Sequence, residues 1–183
     1  MTTTTTTHAA GGDSYVLCEL AGATYAVRSD DIQQLEMVTA PTPVPNAPAY
    51  VDGVVAVRGQ VIPAVSLRAR FGFPRVGHDV RTRLVVVRTR GRTVGLIVDG
   101  AREFARITPD AIRPLPEGIG GLSGRYLRGI AQNGERLLLI VDVAALLADD
   151  VDQAAPTDAV PTDSVSTPLP PPLPAAMPAG TSM

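Results

Sequence analysis

Gly53-Val54-Val55-Ala56-Val57-Arg58-Gly59-Gln60-Val61-Ile62-Pro63-Ala64-Val65 decides the fold, because two β-branched runs meet there at an Arg-Gly pair. β-Branched side chains suit a pleated strand, and a short Gly-containing break between two such runs reads as a hairpin. The pattern repeats in both directions. Tyr15-Val16-Leu17-Cys18-Glu19-Leu20 alternates, with Val16, Cys18 and Leu20 on one face, and Thr24 to Arg28 follows an Ala-Gly turn. Downstream, Leu84 to Val87 and Thr93 to Val98 flank Thr89-Arg90-Gly91-Arg92. Tyr126 to Ala131 and Leu137 to Val141 flank Gln132-Asn133-Gly134-Glu135, where Asn-Gly is expected to supply the positive φ angles of a tight turn. Helical signals are few: Asp142 to Leu147, with turns after Ser29 or before Tyr50. Strands spaced this closely predict an all-β barrel or sandwich.

An internal repeat runs through these strands. Tyr25 to Leu35 resembles Val94 to Phe104, 69 residues on, while Tyr50-Val51-Asp52-Gly53-Val54 recurs as Tyr126-Leu127-Arg128-Gly129-Ile130, 76 residues on. Val65-Ser66-Leu67 recurs as Val141-Asp142-Val143 at the same 76. Two similar halves, roughly 14–80 and 81–148, follow from this. Each is too small to bury much core alone, so the halves are expected to share strands or pack tightly.

The composition breaks on either side of this region. Residues 1–13 hold Thr, Ala and Gly with nothing to bury; residues 149–183 hold eight prolines and five aspartates among small residues. Both are expected to be disordered, a leader and an acidic Pro-rich tail. Between them, residues 14–148 carry all sixteen arginines against twelve acids, a net +4, and the whole chain is −2. Lysine is absent, which removes P-loop phosphate binding and Schiff-base chemistry. One cysteine, Cys18, and two histidines, His8 and His78, offer neither a disulfide framework nor a Cys-based zinc site. The start lacks the basic and apolar regions of a secretory signal, and the run Leu137 to Val141 is far short of the ~20 residues of a membrane helix. A soluble cytoplasmic protein without cofactor, metal or membrane insertion is expected.

Several residues invite chemistry. Asp52, Asp99 and Asp142 each stand at a strand end, where a general acid or base could sit, but Asp also ends strands through its turn preference. Gly118-Ile119-Gly120-Gly121-Leu122-Ser123-Gly124 follows Pro114-Leu115-Pro116-Glu117 rather than a strand, so it reads as a flexible loop and not a nucleotide cradle. Arg81, Arg83, Arg88, Arg90 and Arg92 surround one hairpin. They suit either nucleic-acid phosphates or a solvated, unsticky edge, and seven aromatics in the chain leave few stacking platforms. Pro168-Leu169-Pro170-Pro171-Pro172-Leu173-Pro174 is either a polyproline II ligand or a stiff tail. Arg58, between two apolar strands, either caps carbonyls at its turn or presents a fork of donors to a partner.

Read as one stretch, Pro48-Ala49-Tyr50-Val51-Asp52-Gly53-Val54-Val55-Ala56-Val57-Arg58-Gly59-Gln60-Val61-Ile62-Pro63-Ala64-Val65-Ser66-Leu67-Arg68 resembles the signature of the CheW family. Val94-Gly95-Leu96-Ile97-Val98-Asp99 and the ending Tyr126-Leu127 with Leu137 to Asp142 resemble further family segments, so the likeness spans Tyr15 to Leu147 in unbroken order. The resemblance implies two packed five-stranded SH3-like β-barrels with a short C-terminal helix. It also implies a non-catalytic adaptor of bacterial chemotaxis, coupling the cytoplasmic signalling tips of methyl-accepting chemoreceptors to the regulatory domain of the histidine kinase CheA. Such a protein would be cytoplasmic and recruited to membrane-associated receptor arrays. A scaffold of a non-flagellar chemosensory pathway is the alternative, and an Arg-rich nucleic-acid-binding barrel a more distant one.

By position, the family residues implicated in receptor and kinase contact fall on Ile32, Gln34, Gly53, Arg58, Gly59, Ala101 and Phe104. The repeat places Ile32 with Ala101, and Leu35 with Phe104, at equivalent points of the halves. Gln34 stands where the family usually has a Glu that pairs with the signature Arg; it can still accept a hydrogen bond from Arg58, without the charge-assisted part. Glu36 is a substitute if strand alternation keeps it on the same face. Ser66 replaces the usual Asp, and Ala56-Val57 the usual Asn-Leu.

Overall fold

Three hairpins turn on a residue-glycine pair with both φ angles positive: Ala21-Gly22 at 50° and 81°, Arg58-Gly59 at 48° and 81°, and Arg90-Gly91 at 49° and 80°. Two positive φ angles twist the chain in the sense that flanking strands require. The fourth hairpin differs from expectation. Asn133 pairs with Arg136, so the two-residue loop is Gly134-Glu135, and Gly134 alone has positive φ, at 62°. Glycine at the first central position suffices there, and Asn133 closes the strand instead.

The protein is described here by a computed structural model covering residues 12–116 and 124–148. The chain order is β1 (Asp13–Leu20), β2 (Ala23–Arg28), β3 (Ile32–Met37), β4 (Val51–Val57), β5 (Gln60–Ser66), α1 (Leu67–Arg70), β6 (Arg83–Thr89), β7 (Arg92–Val98), β8 (Gly100–Ile107), β9 (Leu127–Asn133), β10 (Arg136–Val141) and α2 (Val143–Ala148). The expected leader up to residue 11, all but the last residue of the glycine-rich loop Gly118 to Gly124, and the Pro-rich tail lie outside the described residues.

The strands form two five-stranded sheets, β8-β1-β2-β10-β9 and β3-β6-β7-β5-β4. This is the all-β architecture expected, with two short helices. Within each sheet one pairing is parallel, β2 with β10 and β5 with β7. The repeat offsets carry one sheet onto the other, register included. Val16↔Val27 becomes Val85↔Leu96, Val55↔Ile62 becomes Ala131↔Leu138, and Ala64↔Gly95 becomes Ile140↔Ala26.

Sheets and chain halves do not coincide. Residues 14–80 give β1 and β2 to one sheet and β3, β4 and β5 to the other; residues 81–148 do the reverse. Each sheet therefore takes strands from both halves of the chain. The physical reason is core size, since neither half alone closes a hydrophobic interior.

The burial pattern follows from this exchange. On β1, Tyr15 and Leu17 enter a cluster belonging to the first sheet, while Val16, Cys18 and Leu20 enter a central cluster. Their counterparts on β6 do likewise, Leu84 and Val86 inside the second sheet and Val85 and Val87 in the centre. The central cluster draws on both sheets and joins them. Arg70 is buried beside it, its guanidinium 4.1 Å from the Tyr50 ring centre and 4.8 Å from that of Tyr126. Its Nη2 donates to the Leu146 carbonyl at 2.8 Å, so the buried charge is both stacked and hydrogen-bonded.

Candidate functional site

The β3 strand and the β4–β5 hairpin face one depression across the second sheet. Gln34 pairs with Val86, and neighbours in an antiparallel pair share a face, so Gln34 points to the side where Val86 and Ile62 form the floor. Gln33, Gln34, Val57, Arg58, Gln60, Ile62, Val86 and Thr93 line a groove of about 360 Å³. It continues past Val61, Arg88 and Gly91. Arg58 is exposed at the hairpin tip and makes no hydrogen bond or ion pair with any described residue. Its donors are aimed at solvent rather than at carbonyls of its own turn, and the hydrogen bond expected from Arg58 to Gln34 is not made. Glu36 pairs with Leu84 and shares the Gln34 face, as alternation requires, but it does not line the Arg58 groove.

Ile32, Ala101 and Phe104 form a second group. Ile32 pairs with Val87, Ala101 with Cys18, and Phe104 with Val16, all partners in the central cluster. The three therefore stand on the side of β3 and β8 that faces the junction of the sheets. Ala101 is buried and Ile32 partly buried, whereas Phe104 is 68% exposed. The repeat-equivalent Leu35 packs against the central cluster, so the two halves differ most at this pair. Five of the seven residues singled out thus divide between the two places, Gln34 and Arg58 in the groove and Ile32, Ala101 and Phe104 at the sheet junction.

Gly53 and Gly59 have backbone tasks. A Cβ at Gly53 would lie 2.1 Å from the Thr42 carbonyl oxygen, where Thr42 bridges to Val54. Gly129 repeats the device: a Cβ there would be 2.5 Å from the Arg113 carbonyl oxygen, beside the Arg113–Ile130 bridge. At Gly59 a Cβ meets open space, and only the positive φ favours glycine.

The three strand-end aspartates are spoken for. Asp52 accepts from Arg75 Nη1 and lies 3.7 Å from His78 Nε2. Asp99 pairs with Arg68 at 2.6 Å, and Asp142 accepts from the Ala145 amide at 2.8 Å as the first turn of α2 begins. Ser66, 76 residues earlier, caps α1 in the same way through Ala69, at 3.4 Å. The hydroxyl thus keeps the capping bond that the usual Asp would make. Burial pushes the Cys18 thiol up to about 12, which leaves it protonated and inert at neutral pH. Among the described residues no three His, Cys, Asp or Glu side chains are grouped to hold a metal ion, and no helix is long and apolar enough to cross a membrane. Of the five arginines around β6 and β7, Arg81 pairs with Asp79 and Arg83 donates to the Val80 and Thr82 carbonyls, while Arg88, Arg90 and Arg92 are exposed.

Sequence reasoning missed one feature. Val44, Pro45, Asn46, Ala47, Pro48 and Tyr50, on the segment before β4, wall an apolar groove of about 600 Å³ together with Val51, Val54, Pro63, Val65, Val94 and Leu147. Two prolines spaced through that segment were its only signal, and prolines mark loops of every kind.

Comparison with known proteins converges on one family. The family model described as the CheW-like domain matches residues 14–151. "Chemotaxis protein CheW" of Klebsiella aerogenes is 31% identical over 139 residues, covering 76% of this chain and 84% of the relative. "Chemotaxis protein CheW" of Bacillus subtilis is 30% identical over 147 residues, 80% of this chain and 94% of the relative. The crystal structure of the scaffolding protein TtCheW from Thermoanaerobacter tengcongensis superposes with a TM-score of 0.69 at 26% identity, over 74% of this chain and 92% of that one.

Proposed function

This chain belongs to the CheW-like domain family, and from that membership we propose that it is a non-catalytic coupling adaptor of bacterial chemotaxis. The observation that carries the reading is the agreement of fold with a scaffolding protein across 92% of that protein's length. Its partners are the regulatory domain of a CheA-type histidine kinase and the helical cytoplasmic tip of a chemoreceptor. It works in the cytoplasm, recruited to membrane-associated receptor arrays. The contact residues are Ile32, Ala101 and Phe104 at the sheet junction, with Gln34 and Arg58 in the adjoining groove; Gly53 and Gly59 hold the hairpin that presents Arg58.

No bond is made or broken in this mechanism. Rigid sheets hold kinase and receptor in a fixed relative orientation, so that a shift in one is felt by the other through packed surfaces. Individually weak contacts suffice in an array, which multiplies them through effective concentration. An unpaired guanidinium is suited to this use, because its planar fork of donors is pre-organised and always charged. The test is to mix the purified protein with a CheA-type regulatory domain and a receptor tip from the same cell and to measure co-sedimentation. A ternary complex is expected; binding to neither partner overturns the reading. Retention on DNA or heparin that collapses with salt would instead favour nucleic acid.

A further inference from the structure

The apolar groove before β4 meets the Gln34–Arg58 groove at Thr93 and supplies none of the contact residues of the adaptor reading. We propose that it is the docking site of this chain's own C-terminal segment Pro168-Leu169-Pro170-Pro171-Pro172-Leu173-Pro174. Three observations select that occupant over a second copy or a foreign partner.

The first is the path of the chain. Leu147 lines the groove from the last turn of α2, so residues 149–183 leave the fold at the groove's own wall. Residues 149–167 then separate α2 from the proline run. Nineteen residues reach at most roughly 65 Å when fully extended, from ~3.3–3.6 Å per residue. That is enough to return to its point of departure, at an effective concentration on the order of millimolar.

The second is surface chemistry. The groove is walled by valines, prolines, Leu147 and the Tyr50 ring, with few polar partners to offer a peptide backbone. Proline brings no N–H to be satisfied, and a polyproline II segment needs no internal hydrogen bonds. Its three-residue repeat sets Pro168, Pro171 and Pro174 along one ridge, the shape that aromatic- and proline-lined grooves accept.

The third is charge. Residues 149–167 carry Asp149, Asp150, Asp152, Asp158 and Asp163 and no basic residue. Arg92 lines the groove, and Arg88 and Arg90 stand exposed on the same hairpin with no ion pair to any described residue. An acidic linker crossing these three arginines, none of which pairs with a described residue, is held near the groove while its proline run enters.

Hydrogen exchange on the full chain tests this. The natural protein is compared with a full-length variant carrying Pro168→Ser, Pro171→Ser and Pro174→Ser, which lie outside the described core and leave its packing intact. Amides of Val44 to Val54 are expected to exchange about two- to tenfold more slowly in the natural chain, equally at low and high protein concentration. A synthetic peptide of residues 166–176, added at about millimolar concentration to the variant, is expected to restore the slow exchange. Equal exchange in the two chains overturns the proposal, and so does failure of the peptide to protect the variant. Protection that grows with protein concentration overturns it in favour of a second copy. None of these results depends on whether kinase or receptor binds, so failure here is distinguishable from failure of the adaptor reading.

Discussion

Arg68 and Asp99 form a two-pronged ion pair, Nε to Oδ1 at 2.7 Å and Nη2 to Oδ2 at 2.6 Å, and the same carboxylate accepts the Ala21 amide at 2.9 Å. Arg68 lies on α1 at the end of β5 in the second sheet, whereas Ala21 is in the β1–β2 turn of the first. The Asp99 amide adds a bond to the Glu19 carbonyl at 3.1 Å. One aspartate between β7 and β8 therefore ties the sheets together at the edge of the central cluster. Both side chains are partly exposed, so the bond reinforces the apolar junction and does not replace it.

That arrangement sets the acid limb of stability. Partial burial pushes the Asp99 carboxyl up, but the bonds from Arg68 and Ala21 outweigh it and hold the group below its ordinary value. A carboxyl with a lowered folded-state pKa contributes stability above its unfolded value near 4, and that contribution is lost as pH falls through the folded value. Asp79 acts in the same sense, held at about 2 chiefly by the Arg81 amide. Asp31 acts oppositely, because burial raises it. Urea midpoints measured from pH 5 to pH 2 should fall for the natural protein, and Asp99→Asn should flatten that fall while costing about 1–2 kcal/mol at neutral pH. An unchanged acid limb in the Asn variant would remove Asp99 from this role.

Gly53 and Gly59 are six residues apart in one hairpin and should respond differently to alanine. Gly53 has φ +141° and no room, with the Thr42 carbonyl oxygen 2.1 Å from the position of a Cβ. Gly53→Ala must push β4 away from the Thr42 bridge, at a cost of about 3 kcal/mol or more. Gly59→Ala meets open space and costs about 1 kcal/mol for its positive φ alone. Thermal melts of the two variants check the order. Equal losses would mean that the Thr42 approach relaxes freely.

Much of this is legible in the sequence. The X-Gly hairpins announced themselves because few residue pairs tolerate two positive φ angles, and the offsets of 69 and 76 proved to be the operators that relate the sheets. Sheet membership was hidden for a physical reason. Tyr15, Val16, Leu17 and Cys18 are all buried, so alternation on β1 says nothing about which face meets which neighbour. The parallel pairing of Thr24 with Leu138 joins residues remote in sequence, with no turn to fix it. Arg70 was equally opaque: an arginine in Leu67-Arg68-Ala69-Arg70 reads as solvent-facing, and only the approach of Tyr50 and Tyr126 makes it interior. At the site, the equivalence of Leu35 and Phe104 was legible, but the exposure that separates them was not, since it depends on how each edge strand is covered.

Arg58 separates structure from coupling. Its side chain has no partner among the described residues, and its φ of +48° is as unfavourable for alanine as for arginine. Arg58→Ala should therefore leave stability within about 0.5 kcal/mol of the natural protein. Arg58→Gly should raise it by up to about 1 kcal/mol by relieving the backbone. Both should weaken receptor-dependent kinase activation to a similar degree, since both remove the guanidinium. Undiminished coupling by either well-folded variant would take Arg58 out of the contact surface.

Cys18 supplies a probe of the whole fold. It is the single cysteine of the chain, it is fully buried in the central cluster, and burial lifts its thiol to about 12. Thiolate is the reacting form, so in the folded protein both access and ionisation oppose modification. A thiol reagent should leave the native protein unmodified over the time in which the urea-unfolded chain reacts completely. At intermediate urea the labelling rate should track the population of the open state, because Cys18 sits where strands of both sheets meet and no local fraying exposes it. Rapid labelling without denaturant, with secondary structure intact by circular dichroism, would mean that the two sheets part without unfolding. The central cluster would then be a moving joint instead of a rigid core, and the fixed-orientation mechanism would have to be replaced by one in which the adaptor itself changes shape.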